Sequence, residues 1–370
     1  VRIVIAKKTL STVGGSEILA RALGRELRAL GHDVTLVGMR PAWARPGIAE
    51  DRDSTFLPVR GGRLGAAIDG LFPTSLVAER ELRRVILGAD VVHSIAREWV
   101  GSLERVARRA GAAFVESPLV HPGQPFSGSS RSDVARYRRD DAVVALTEWE
   151  ASWYRARGAT NVHVSGIGPN LIELPRLERD RATVLFVGRK ERYKGYHALR
   201  EAARIVWRER PDARFIAIGQ PAWNARFSPP PNDPRWEELG IVSESAKAAA
   251  YARSTIFAMP SEHETFGQTY LEAWMAGLPV IAGDIPPLRE VVREGIDGLH
   301  ARNEPAAIAA AILALLRDPE RARRMADSGR ERVRNDFTWP VVARKTEAAY
   351  LAALDAAKAA PRASSARARR

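Results

Sequence analysis

The sequence predicts an α/β protein made of two successive halves, each with a parallel sheet covered by helices. Three observations predict it: strand-like and helix-like patterns alternate from the first residues, the alternation restarts near Thr183, and 370 residues exceed an ordinary single domain. The first half opens on the apolar strand RIVIA. A Gly-containing turn and SEILARALGRELRALGHDVTLVG follow, in which Ile18, Ala22, Leu23, Leu27 and Leu30 recur at helical spacing. Ser16 is placed to cap that helix and Gly31 to end it, and Val34 to Val37 supply the next strand. ADVVHS, AAFVES and AVVAL are further strands, separated by arginine-rich stretches of helical pattern; this alternation implies parallel pairing. The stretch from Arg40 to Glu79 is less regular.

In the second half ATVLFVG, RFIAIG, STIFAMP and LPVIAG read as strands, and ALREAARIVWRER as a helix. Pro169 to Asp180, with prolines and charge but little periodicity, is the linker. The expected domains are therefore 1–170 and 181–340. Ser228 to Pro234, SPPPNDP, is expected to be a surface loop, since prolines lack the backbone donor and resist helix. After Asn303 the pattern is helical, interrupted at Pro319 and Pro340 and resumed as VARKTEAAYLAALDAA. The tail PRASSARARR, 361–370, reads as a disordered basic extension.

Composition excludes whole chemistries. With no cysteine there are no disulfides, no cysteine-ligated zinc or iron–sulfur centres and no thiol nucleophile. Hydrophobic residues make up 45% and charged residues 27%, as expected of a globular protein. The longest apolar run, Ala306 to Leu316, falls short of the roughly 18 residues a membrane-spanning helix needs, and VRIVIA lacks secretory features, so a cytoplasmic location is expected. The net charge of +13 implies attraction to phosphates, whether in nucleic acid, anionic lipid or a phosphorylated small molecule. No basic run is interleaved with aromatics, so a nucleic-acid partner is not expected.

The sharpest segment is MPSEHETFGQTYLEAWMAGLPVIAGDIPPLREVVREGIDGL, Met259 to Leu299. A strand delivers a polar loop with Glu264, and a helix beginning near Thr269 carries Glu272. Thr265, Phe266 and Gly267 lie between, where backbone N–H groups at a helix start suit a phosphate or sugar hydroxyl. Two glutamates eight residues apart are by themselves ordinary on a helix surface. The context adds specificity: PS before them, the Glu-x7-Glu spacing, EAWMAGLPVIAGD after them and REVVREGIDGL beyond. Together these resemble the donor-binding region of retaining glycosyltransferases of family 4, in the GT-B superfamily. VLFVGRKERYKGYHALREAARIV and VGGSEILARAL resemble two further parts of the same family. The resemblance is strongest from Thr183 to Trp339 and weak from Arg40 to Glu79.

The resemblance implies a GT-B architecture: two Rossmann-like domains facing across an interdomain cleft, the first on the acceptor side, the second holding the donor, and a C-terminal helix (about 341–360, with Tyr350 to Ala357) packing back on the first. It implies that Glu264 contacts the transferred sugar, that Glu272 holds ribose hydroxyls, and that Arg189 and Lys194 neutralise the donor diphosphate and the charge developing on the leaving nucleotide. Gly14 and Gly15 are implied at the diphosphate; a lone Gly-Gly is an ordinary turn, and without G-x-G-x-x-G a dinucleotide dehydrogenase is disfavoured. Lys190 and Arg192 are expected to be surface charges. His121, after AAFVES, is placed near the donor sugar or is a loop histidine bonded to backbone. Glu116, Gln124, His93 and Thr147 are further cleft candidates, whereas His32, His163, His197 and His300 read as surface or packing residues. Asp51 and Asp53 spell D-x-D without a strand to present them, so they read as loop acids and no metal is expected.

The expected activity is metal-independent transfer, with retention, of a hexose-type sugar from a nucleotide diphosphate donor to a hydroxyl acceptor, with no cofactor beyond the nucleotide-sugar co-substrate. UDP-sugar is the first expectation, and GDP-mannose, the second, stays open because the base is expected to be read largely by backbone near Gly219 and Leu239 to Val242, which side-chain identities do not settle. The basic first half favours an anionic acceptor or peripheral contact with the inner face of the membrane. The alternatives are a nucleotide-sugar 2-epimerase on a GT-B frame, and a catalytically inactive donor-binding subunit.

Overall fold

The computed structural model describes residues 1–10, 14–39, 54–57, 79–122, 127–170, 173–221 and 230–359. The chain forms two compact units: Val1–Ser165 together with Val342–Arg370, and Gly166–Val341. Asp51, Asp53, Gln124, the tail 361–370, most of the stretch 40–79, and Ser228 and Pro229 lie outside the described residues. No helix among the described residues is long and apolar enough to cross a membrane.

In the first unit the described strands are β1 Arg2–Ala6, β2 Asp33–Met39, β3 Ser54–Leu57, β4 Val91–Ile95, β5 Ala113–Ser117, β6 Ala142–Ala145 and β7 Val162–Val164. They form one sheet in the order β3-β2-β1-β4-β5-β6-β7, parallel throughout. Its helices are α1 Gly15–Ala29, α2 Glu79–Ile86, α3 Val100–Ala110, α4 Arg131–Tyr137 and α5 Glu148–Arg155. The apolar periodicity of α1 buries Leu19, Leu23 and Leu27 against the sheet. Ser16 does not cap it. The helix starts two residues earlier than such a cap would set it, with Gly14 at the cap position and no side-chain cap, and the Ser16 hydroxyl turns to Glu17 (3.0 Å). Gly31, at φ +91°, ends it in the left-handed region that glycine adopts without strain.

The second unit carries β8 Thr183–Val187, β9 Arg214–Ile218, β10 Trp236–Leu239, β11 Ile256–Met259, β12 Val280–Gly283 and β13 Gly298–Ala301, ordered β10-β9-β8-β11-β12-β13 and parallel. Its helices are α6 Tyr196–Glu209, α7 Glu244–Arg253, α8 Gln268–Met275, α9 Pro286–Val291, α10 Pro305–Arg317 and α11 Pro319–Asp336. Pro319 opens α11 at its first turn, where the missing donor costs nothing. A final helix, α12 Trp339–Ala359, begins in this unit and belongs from Val342 onward to the first. Phe186, Phe215, Phe257 and Trp274 are fully buried around the second sheet, with Phe215 stacked on Trp236 at 5.6 Å. Both units are Rossmann-like. In each sheet the strand order reverses between two central neighbours, β1 and β4 or β8 and β11, and ligands of such sheets bind beyond the carboxyl ends at that point.

Candidate active site

At the carboxyl ends of β8 and β11 two loops are stitched together. The loop after β8 runs through Gly188, Arg189 and a short 3-10 turn, Arg192–Lys194, to Gly195. Gly195 sits at φ +80°, and a Cβ there would stand 2.6 Å from Pro260 Cγ, so only glycine lets this loop lie against the one after β11. The Glu262 N–H (2.7 Å) and the Ser261 hydroxyl (3.3 Å) both donate to the Tyr193 carbonyl. This closure pairs the Lys194 ammonium with the Glu264 carboxylate. Their side chains are only 13% and 12% exposed, so the pair is little screened by solvent.

Arg189 is exposed and donates to the Tyr193 hydroxyl. The Tyr193 ring lies 5.6 Å from its guanidinium and 5.4 Å from the Lys194 ammonium, so one ring holds both cations at the sheet end. Tyr193 had no signal in the sequence beyond its place between two basic residues. Downstream, Gly267 caps α8 at φ +88°, Phe266 is buried edge-on against Phe337 (5.2 Å), and Thr265 is half-buried. The structure thus brings Arg189, Lys194, Glu264 and the start of α8 to one sheet end.

Glu272, one turn into α8, has a different setting. It is buried, accepts from the Tyr251 hydroxyl (3.0 Å) and lies 3.5 Å from the Lys247 ammonium. Lys247 also reaches Glu244 (2.8 Å) and the Asn170 carbonyl (3.1 Å). Burial pushes the Glu272 carboxyl up to about 7, against the downward pull of Lys247 and Tyr251. Lys247 and Tyr251 escaped the sequence reading; their one signal is that they stand four apart on α7.

Several expectations are corrected. Lys190 is buried: its ammonium reaches Glu238 (2.6 Å) and the Leu239 carbonyl, which ties the end of β10 to the loop after β8. Arg192 is exposed, as expected. Glu116 is fully buried and receives two hydrogen bonds from Arg136 (2.7 and 3.2 Å), with Asp133 on the same guanidinium, so it belongs to a core ion network. His93 does not line a cleft either. Its imidazole is enclosed between the Tyr350 hydroxyl (2.7 Å) and Ser117 (2.8 Å), and burial pushes it down to about 3. Thr147 is buried and caps α5 by accepting from the Glu150 N–H (3.2 Å). His121 is half-buried, and its N–H donates to Ser127 (2.7 Å).

At the carboxyl ends of β1 and β4 the first unit gathers another set that the sequence did not single out. Lys7 is buried, with Glu98 at 2.7 Å, Glu17 at 3.3 Å and Thr9 at 3.1 Å. Burial raises the Glu17 carboxyl, but Lys7 and the Thr9 and Ser16 hydroxyls outweigh it and hold it below its usual value. Glu17 also lies against Gly14, its Oε2 2.5 Å from where a Cβ would stand. Gly14 therefore faces a carboxylate that Lys7 partly neutralises, with Gly15 opening α1 beside it.

Comparison with known proteins identifies the family. Residues 14–170 match a glycosyl transferase 4-like domain and residues 171–332 match glycosyl transferases group 1. The chain is 31% identical to a D-inositol 3-phosphate glycosyltransferase of Thermobispora bispora, across 92% of this chain and 90% of that protein. It is 27% identical to a glycogen synthase of Mycobacterium tuberculosis, across 92% of each. Among solved structures, Anabaena HepE in complex with UDP and glucose superposes with a TM-score of 0.74 at 15% identity, covering 94% of this chain and 98% of that one. A sucrose-phosphate synthase from Thermosynechococcus elongatus gives 0.73 at 19% identity, covering 95% and 98%. With its two parallel-sheet units and its charged sheet end, the chain belongs to the glycosyltransferases of GT-B fold.

Proposed function

We propose that this glycosyltransferase is a retaining enzyme of family 4 that moves a hexose from a nucleotide diphosphate sugar to a hydroxyl acceptor without a metal ion. The Lys194–Glu264 pair at the reversal point of the second sheet carries this reading, because it sets a cation for phosphate beside a carboxylate for sugar hydroxyls. Lys194 and Arg189 take the diphosphate, and Gly267 and the start of α8 add backbone donors along with Thr265 and Phe266. Glu264 holds the transferred sugar and Glu272 the ribose. Of the first unit, which takes the acceptor, Gly14 and Gly15 serve the donor diphosphate and His121 the transferred sugar. In the reaction the acceptor oxygen bonds to the anomeric carbon on the leaving-group face. The bond from that carbon to the phosphate oxygen breaks, its electron pair leaves with the nucleotide, and the departing phosphate takes the acceptor proton. The two cations stabilise the charge that develops there.

A UDP-hexose is the first donor proposed and GDP-mannose the second. An inositol phosphate is a fitting acceptor class, since the Thermobispora relative is named for one. The test is transfer from UDP-glucose, UDP-N-acetylglucosamine and GDP-mannose to inositol phosphate, in EDTA and in magnesium, with the anomeric configuration of the product read by NMR. Retained configuration with undiminished turnover in EDTA supports the proposal. An inverted product, dependence on magnesium, or interconversion of donor sugars without any acceptor overturns it.

A further inference from the structure

The second sheet has another polar concentration at its opposite end. Thr255 and Pro279 directly precede β11 and β12, Arg181 stands two residues before β8, and the three line a cavity of about 390 Å³ together with residues of α10 and α11. Four guanidinium groups belong to this cavity: Arg179, Arg181, Arg323 and Arg330. Asp327 is the one carboxylate in its lining, and it reaches Arg330 (3.4 Å) and Arg323 (3.8 Å). Leu315 and Leu316 add apolar surface to the lining.

Two of these arginines are pressed together. Gly277 is at φ +73°, and the Nη2 atoms of Arg330 and Arg179 lie 2.1 and 3.5 Å from where its Cβ would stand. The two charged nitrogens are thus no further apart than the sum of those distances. Arg179 is anchored by donating to the Gly277 (2.7 Å) and Ala276 (2.6 Å) carbonyls at the end of α8. Burial, then the neighbouring Arg330, hold its guanidinium below its usual value. Like charges held this close over a concave, partly apolar surface are relieved by an anion placed between them. Guanidinium forks match the oxygens of a phosphate.

We infer that the amino end of the second sheet carries a binding pocket for a small phosphate-bearing anion, held by Arg179, Arg181, Arg323 and Arg330. The pocket lies at the other end of the strands from Arg189, Lys194 and Glu264, so its occupant does not displace a donor nucleotide. Its size admits a phosphate ester of a small metabolite as well as inorganic phosphate.

The test is calorimetric titration of the full chain with inorganic phosphate and with glucose 6-phosphate, against sodium chloride at equal ionic strength. An Arg189→Ala/Lys194→Ala background removes anion binding at the donor residues. Saturable binding of either probe in that background is expected, weakened about tenfold or more by adding Arg330→Gln or Arg323→Gln and largely restored by Arg323→Lys in place of the glutamine. Arg323 is exposed, so its replacement leaves the fold intact. Tighter binding of the ester than of phosphate identifies an organic phosphate as the ligand class. No saturable signal above chloride, or binding unchanged by both glutamine variants, overturns the inference.

Discussion

Replacing Glu272 by Gln should make the stability of this protein less dependent on pH, by an amount that follows from the burial of one carboxyl. Glu272 is pushed from its usual 4.5 up to about 7 because burial disfavours its charged form more than Lys247 and Tyr251 favour it. The folded state therefore holds this proton more tightly than the unfolded chain. The stabilisation from that proton is full below about pH 4.5 and is lost as pH rises through 7. At 1.36 kcal/mol per pH unit, the interval amounts to about 3 kcal/mol. Glutamine keeps the shape and does not titrate, and the other ionisable groups are common to both proteins. Urea denaturation at steps from pH 4.5 to pH 8 should show wild type losing about 3 kcal/mol relative to Glu272→Gln across that range. The same variant should bind donor nucleotide more weakly at every pH. Parallel stability profiles for the two proteins would refute the burial argument, whatever their vertical offset.

Other perturbations separate the parts of the molecule. Lys194→Ala and Glu264→Gln should each lower kcat by about a hundredfold to a thousandfold, as loss of one preorganised charge does, and the double variant should fall well short of the product of the two; steady-state transfer assays check this. Gly267→Ala forces a side chain into the left-handed region, with its Cβ 2.3 Å from the Tyr270 ring, and should cost at least about 1–2 kcal/mol in denaturation together with weaker nucleotide binding. Tyr350→Phe strips a buried partner from His93 and should cost about 1–3 kcal/mol, read as faster hydrogen exchange in α12 beyond Val342. The His93 imidazole, pushed down to about 3, contributes stability that is present above its ordinary 6.5 and lost as pH falls toward 3. His93→Gln should flatten that acid limb in pH-dependent unfolding.

Legibility in the sequence followed the range of the interactions. The strands RIVIA, AAFVES, ATVLFVG and STIFAMP were readable because each is buried on both faces along most of its length and so is largely apolar. β10, WEEL, was not, because only Trp236 is buried and its acidic residues serve the edge: Glu238 accepts from Lys190, Tyr196 and Trp236. Lys190 looked like a surface charge for the same reason, since its partner lies 48 positions away. Lys7 and Glu98 are 91 positions apart and meet only because β1 and β4 become neighbours. Arg189, Lys194, Glu264 and Glu272 were readable as a set through a family pattern. That Lys194 faces Glu264 while Glu272 turns to Lys247 and Tyr251 is tertiary information. His93 and Glu116, apolar-strand neighbours by sequence, proved to be core residues because their partners, Tyr350 and Arg136, come from elsewhere in the chain.

The Lys194–Glu264 contact also sets terms for whatever arrives at that sheet end. Each member satisfies the other, in surroundings too dry for water to stand in cheaply. A visitor bearing only phosphate draws off the ammonium and strands the carboxylate, and one bearing only hydroxyls does the reverse. A molecule that presents phosphate and hydroxyls together, at the right separation, leaves neither stranded. Under the proposed donor assignment the contact is a two-key lock: spent nucleotide and free sugar would each hold one key, so both would depart more readily than the intact donor.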